Sequence, residues 1–227
     1  MPKYGKHSHW SLFSDIQAAI AVFIFIASCA GNHSSKKLET FGPKQVSPRF
    51  DNGKTVYDTV YHKIADFRFY DQDSAEITNQ TFSGKIYIAD FFFTSCPTIC
   101  PRMNTQLLRV YEKFRDNPHI AILSHSIDPY NDSISVLKDF ADKLGVSSDQ
   151  WHFVAGDQDK IFEIGQKSYM VTAMNDLSEP GGFLHSGALI MVDPERRIRG
   201  IYDGTKPEEV DHLINDIPNL LTEYGMQ

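Results

Sequence analysis

Beyond residue 62 the chain alternates two kinds of apolar pattern. "HKIADFRFY" (62–70) alternates apolar and polar positions as a half-buried strand does, and a short extended piece, "EITN" (76–79), follows it. "KIYIADFFF" (85–93) and "HIAILSHSID" (119–128) are continuous apolar, β-rich runs, the pattern of strands buried on both faces. Between them "PRMNTQLLRVYEKFRD" places Met103, Leu107, Val110 and Phe114 at helical spacing, with Pro101 suited to a first helical turn. "SISVLKDFADKLG" ending at Gly145 and "DQDKIFEIGQKSY" (157–169) predict two more helices, and "PEEVDHLINDI" (207–217) a last one. "SGALIMVDPERRIRGIYDG" predicts a β-hairpin with its turn at Asp193 to Arg197. Helices between strands imply an α/β fold, a central mixed sheet flanked by helices, mainly parallel with an antiparallel hairpin at one side. That element order is thioredoxin-like.

The first residues do not belong to this pattern. Lys3 and Lys6 precede "AAIAVFIFIAS" (18–28), an apolar run shorter than the ~20 residues of a spanning helix and ending in small residues before Cys29. "IASC" resembles the lipobox of bacterial lipoproteins, which implies cleavage before Cys29 and its acylation. The expectation is a lipoprotein-type signal peptide over 1–28 and a lipid anchor at Cys29. The domain then stands outside the cytoplasm, on the periplasmic side of a bacterial membrane. The alternative, an uncleaved N-terminal anchor, places the domain on the same side. Residues 29–55 are polar, rich in Gly, Pro and Ser and without apolar periodicity, so a flexible tether is expected there, with the folded domain over 56–227.

Composition narrows the function only by exclusion. The 227 residues carry a formal net charge of −7, and no basic run exceeds Lys36-Lys37 in length, which argues against a nucleic-acid partner.

The chemistry is concentrated in "DFFFTSCPTICPRM" (90–103). Cys96 and Cys100 follow a central strand and precede a helix, where open α/β sheets present their ligand sites. The flanking Pro97 and Pro101 predict an exposed loop, and Cys100, next to Pro101, is expected near the helix N-cap, where the dipole favours a thiolate. Four positions apart, the two sulfurs can close a disulfide or face one metal ion, and the two uses exclude each other. A structural disulfide is the weaker reading, because so short a loop constrains the unfolded chain little. Two thiolates are too few for a closed zinc site, but they suit Cu(I), and one imidazole would extend the site to Cu(II). Of the nine histidines, His7, His9 and His33 lie in the leader and tether, and His62, His119, His152 and His212 at element ends or on helices. His185 follows a Gly-Gly loop directly before a strand, and in a thioredoxin-like sheet that loop faces the cysteine turn. His125, ending the strand next to the cysteine strand, is expected in a partly buried supporting role.

"FTSCPTICP", "SIDPYNDS", "FLHSGALIMVD" and "IYDG", in this order, resemble the Sco/SenC family of copper-binding thioredoxin-fold proteins. The resemblance implies that Cys96, Cys100 and His185 are copper ligands, for Cu(I), Cu(II) or both. It also implies a metallochaperone rather than an enzyme, one that loads the dinuclear copper site of cytochrome c oxidase. Its partners would be the copper-site subunit of the oxidase, other copper chaperones and thiol reductants. The chain departs from the family pattern at Asp132-Ser133-Ile134, where Asp-Thr-Pro is usual, and at Leu184, where an Asp often precedes the ligand histidine. The competing function is an extracytoplasmic thiol-disulfide oxidoreductase using Cys96 and Cys100 as a redox-active pair. Against it, the spacing is not the CxxC of thioredoxin-type enzymes, and His185 would have no task. A peroxidase reading lacks a Thr three residues before either cysteine. The two leading functions are compatible, since one dithiol can reduce the target's cysteines and later deliver copper.

Overall fold

A computed structural model describes residues 1–3 and 37–226. The expected signal peptide and the Cys29 lipidation site lie outside the described residues.

Within the unit that begins at Lys36, the described chain forms eleven strands and four α-helices. The strands are β1 (Lys44–Asp51), β2 (Lys54–Tyr61), β3 (Arg68–Asp71), β4 (Glu76–Thr78), β5 (Ile86–Phe92), β6 (Ile120–Ser126), β7 (Trp151–Ala155), β8 (Ala173–Asn175), β9 (Phe183–His185), β10 (Ala188–Val192) and β11 (Ile198–Asp203). The helices are α1 (Cys100–Phe114), α2 (Ile134–Leu144), α3 (Gln158–Lys167) and α4 (Pro207–Glu223). Seven strands make the central sheet in the order β11-β10-β5-β6-β7-β3-β4. β5, β6 and β7 are parallel, while β10, β11, β3 and β4 add antiparallel edges on both sides. The sheet is therefore mixed as expected, with more antiparallel pairing than a single hairpin provides.

Burial follows the apolar patterns. All seven residues of β5 and all seven of β6 are buried, as strands covered on both faces require. The predicted stripe of α1 (Met103, Leu107, Val110, Phe114) is buried together with Cys100, Asn104 and Tyr111. Ser133 caps α2 by accepting from the Val136 N–H, and Gly145 ends it in the left-handed conformation at φ 72°. α4 runs through Pro218 to Glu223, past its expected end at Ile217. Burial of Leu220 and Leu221 offsets the backbone donor lost at the proline.

The expected tether differs from the structure at its C-terminal part. β1 pairs with β2 from Lys44–Tyr61 to Asp51–Lys54 in a two-stranded hairpin, so the expected domain start at 56 falls inside β2. Asn52 and Gly53 at its turn both have positive φ, 49° and 77°, the geometry of a two-residue hairpin loop. Just upstream, the buried Arg199 guanidinium donates to the Leu38 and Glu39 carbonyls and pins this segment to the domain.

Candidate metal centre

β5 ends at Phe92, and the chain turns so that the Cys96 N–H bonds to the Phe93 carbonyl. Ile99 is the N-cap of α1 and offers no side-chain cap, so Cys100 is the first helical residue, with Pro101 behind it. His185 reaches the cysteines from a segment distant in sequence but next to them in the sheet, just before β10, which pairs with β5. It is the last residue of β9, which pairs with β8 in a small hairpin, Ala173 opposite His185. His185 Nε2 lies 3.8 Å from Cys96 Sγ and 3.4 Å from Cys100 Sγ. All three donor atoms fall within 4.8 Å of one another. An ion bound at the ~2.3 Å and ~2.0 Å lengths usual for sulfur and imidazole ligands of zinc would hold S and N about 3.6–3.8 Å apart. The donors are thus spaced to hold one ion without rearrangement of the backbone.

Two features make this approach possible. Gly181, at φ 93°, packs so close to Phe93 that an added Cβ would lie 2.7 Å from its ring and 3.6 Å from Pro97. Only glycine lets the 176–182 loop close over the cysteine turn. On the other side, Asp132 accepts from the Thr94 N–H at 3.1 Å, from the Thr94 hydroxyl at 2.5 Å and from the Ser126 hydroxyl at 2.5 Å. Asp132 is fully buried, and it fixes the start of the cysteine turn two residues before Cys96. Burial raises its pKa, opposed by the Ser126 and Thr94 donors.

The environment of the sulfurs corrects two expectations. The cysteines are not on an exposed loop: Cys96 is 7% and Cys100 2% exposed, because the Gly181 loop and β9 cover the turn. Nor does Cys100, at the helix start, hold the favoured thiolate. Burial pushes its thiol well up, and the neighbouring Cys96 adds to the shift. Burial acts against the Cys96 thiolate too, but the Thr98 and Cys100 N–H groups and the Thr98 side chain outweigh it, so the Cys96 pKa is lowered. Both thiols are free. Burial also lowers the pKa of His185 and keeps its imidazole neutral, the form that ligates. Its ring stands edge-on to Phe93 at 5.7 Å, and its Nδ1 has no hydrogen-bond partner. Leu184, next to His185, supplies no carboxylate, as its departure from the family pattern implied.

His125 does not join this site. It is wholly buried, stacked on Phe91 at 4.7 Å and edged by Phe67, Phe69 and Tyr169. Its Nδ1 faces the Asp90 carbonyl at 3.3 Å and its Nε2 has no partner. It is an aromatic core residue, not a support for the donors, because its side chain leaves β6 into the Phe67–Tyr169 cluster. His152, inside β7, pairs instead with Asp71 at 3.0 Å. The sequence marks Asp132, near the end of "SIDPYNDS", and the Gly-Gly pair with Gly181, but the part each plays in shaping the cysteine turn shows only in the structure.

Comparison with known proteins agrees with this geometry. The SCO1/SenC family model matches residues 57–222. The chain is 30% identical over 172 residues to the SCO1 protein homolog of Bacillus subtilis (strain 168), covering 75% of this chain and 89% of that one. It is similar in structure to BsSco, described as a member of the Sco family of cytochrome c oxidase assembly proteins with a disulfide switch. The TM-score is 0.63 at 29% identity, over 71% of this chain and 94% of that one. Arabidopsis thaliana ScoI, solved with copper bound, shares the fold at TM-score 0.59 and 23% identity, over 70% of this chain and 98% of that one. A strand-end cysteine pair closed by a distant histidine, on a sheet of this topology and within this match, places the chain in the SCO1/SenC family.

Proposed function

We propose that the protein is a copper metallochaperone that delivers copper to the dinuclear copper site of cytochrome c oxidase. The observation that carries this reading is the Cys96, Cys100 and His185 donor set, gathered within 4.8 Å. Two thiolates and one neutral imidazole suit Cu(I), and the imidazole admits Cu(II). A closed zinc site asks for four protein ligands. Three ligands also leave a side from which a receiving protein can compete for the ion, which suits a cargo better than a resident metal. Family relatives described as oxidase assembly proteins or solved with copper bound support the same reading.

A second use of the same atoms is favoured by the lowered pKa of Cys96. A thiolate-prone cysteine beside a partner thiol is the arrangement that attacks a disulfide, so the dithiol can reduce the target's cysteines before metal arrives. The disulfide switch described for BsSco is in keeping with this. The lipobox-like "IASC" supports a lipid anchor at Cys29 on the periplasmic side of a bacterial membrane, and no described helix is long and apolar enough to cross a membrane.

The test uses the reduced protein exposed in turn to Cu(I), Cu(II) and zinc. One copper should bind, zinc far less, and bound copper should shield both thiols from alkylation. Oxidising Cys96 and Cys100 to a disulfide should expel the copper, since a bonded sulfur has no thiolate to offer. Copper retained by the oxidised protein would exclude the cysteines as ligands.

A further inference from the structure

Among the described residues the hairpin of β1 and β2 has no sheet partner other than itself, and all but two of the residues in its strands are exposed. Its register gathers the aromatic side chains on one face. Val46 lies opposite Thr59, Pro48 opposite Tyr57 and Phe50 opposite Thr55, so one face carries Val46, Pro48, Phe50 and Tyr57. The other face carries Gln45, Ser47, Arg49, Asp51, Lys54 and Asp58, with Val56 and Val60 between them, and Arg49 donates to Asp58 at 2.9 Å. On the apolar face Val46 is 60%, Phe50 78% and Tyr57 66% exposed. An isolated two-stranded hairpin is marginal in water, and an apolar face of this kind is uncommon on a surface without a partner. It calls for an occupant.

Three observations select a lipid surface. First, the apolar run 18–28 and Cys29 lie only fifteen positions before Lys44, and even fully extended that stretch reaches no more than about 54 Å. Second, charge is divided unevenly along the chain. Residues 36–63 hold six Lys and Arg against three Asp and Glu, whereas residues 64–227 hold fourteen against twenty-five. The segment around the hairpin is the one an anionic bilayer attracts, while the rest of the domain is repelled from it. Third, the hairpin joins the domain at the end of the sheet remote from the cysteines. Arg197 lies over the Tyr61 ring and the Ile64 N–H bonds to the Arg196 carbonyl. Both arginines sit in the turn after Val192, which pairs with Tyr87 near the start of β5, whereas the cysteine turn follows the other end of β5.

We propose that the apolar face of the β1–β2 hairpin lies on the surface of the anionic membrane to which the chain is anchored, and so holds the Cys96–Cys100–His185 site facing away from the bilayer. Phe50 and Tyr57 enter the headgroup region as aromatic side chains do at membrane interfaces, and Lys44, on the same face, meets the lipid phosphates. The inference rests on the anchor reading and is independent of the copper reading.

The test uses the full chain, processed at Cys29 and reconstituted in vesicles of phosphatidylcholine and phosphatidylglycerol, so that the buried Trp151 is the one remaining native tryptophan. Phe50→Trp places a reporter on the apolar face, and Tyr130→Trp places one on an exposed position beyond the C-terminal end of β6. With lipids brominated near the headgroup, Phe50→Trp should lose most of its emission and Tyr130→Trp should keep it. Vesicle flotation is measured on the same samples. A chain that floats while Phe50→Trp stays unquenched overturns the proposal and leaves the anchor standing. A chain that does not float overturns both. Emission from Phe50→Trp that changes with protein concentration but not with brominated lipid assigns the face to a second copy of the chain, which also overturns it.

Discussion

His185 Nε2 lies 3.4 Å from Cys100 Sγ across 85 positions of sequence. No local pattern brings the two together. The contact exists because β10 pairs antiparallel with β5, which carries the segment before β10 to the edge where the segment after β5 emerges. The donor set is thus a product of strand order, and changes that leave the three donor residues intact but shift either loop should still damage it.

Gly181 is the sharpest case. Gly181→Ala puts a methyl carbon within 2.7 Å of the Phe93 ring and imposes φ 93° on a side-chain-bearing residue, a backbone strain of about 1–2 kcal/mol. The loop should relieve both by lifting, which separates His185 from the sulfurs. Copper affinity should drop by roughly tenfold or more, the equivalent of about 1.4 kcal/mol. Far-UV circular dichroism should be unchanged. Metal titration of the variant beside wild type checks this.

Asp132→Ala removes a buried acceptor of two hydroxyls and one backbone N–H, with Ser126 wholly buried and Thr94 half-buried. Donors left unsatisfied in the interior cost about 1–3 kcal/mol each, so a stability loss of about 3 kcal/mol is expected in denaturant unfolding. Asp132→Asn keeps one acceptor oxygen and should recover part of it. In both variants the Cu(II) spectrum should broaden, since the start of the cysteine turn is no longer fixed.

The buried Asp90 and His125 predict an unusual pH response. Burial pushes Asp90 up to about 7, against the ordinary 3.8, so its term favours the fold below about 3.8 and is lost as pH rises through 7. Burial lowers His125 to about 4 from 6.5, so its term favours the fold above 6.5 and is lost as pH falls through 4. Between pH 4 and 6.5 the two oppose each other. Asp90→Asn leaves the histidine term without its counterweight. Relative to wild type, the variant should lose on the order of 3 kcal/mol of stability as pH is lowered from 7 to 4. A constant difference across that range in denaturant melts would contradict the assignment of Asp90.

Much of the sheet was legible because β5 and β6 bury both faces and therefore read as unbroken apolar runs. β7 was not named, since five residues beginning Trp151-His152 carry no clear period. The three-residue strands β8 and β9 are made by pairing across a loop and leave almost no local signal. The β1–β2 hairpin did have a signal, the Asn52-Gly53 pair at its turn, but Pro48 and the absence of a core-facing stripe hid the strands around it. At the site, the cysteines were readable from their place between strand and helix, and His185 from its place before a strand. The burial of the sulfurs was not, because it depends on Gly181 meeting Phe93, and neither was the Asp132 clamp on Thr94, which spans 38 positions.

The central claim is that His185 and the two cysteines serve copper delivery, not dithiol exchange alone. The most direct measurement is cytochrome c oxidase activity in cells carrying His185→Ala, Cys96→Ala or Cys100→Ala, set beside disulfide reduction by each purified protein. Loss of His185 should impair the oxidase about as severely as loss of a cysteine while leaving disulfide reduction largely intact, because the imidazole closes the metal site and takes no part in thiol exchange. Normal oxidase activity with His185→Ala, in cells where Cys96→Ala abolishes it, would contradict copper delivery and leave reduction of the target's cysteines as the essential task.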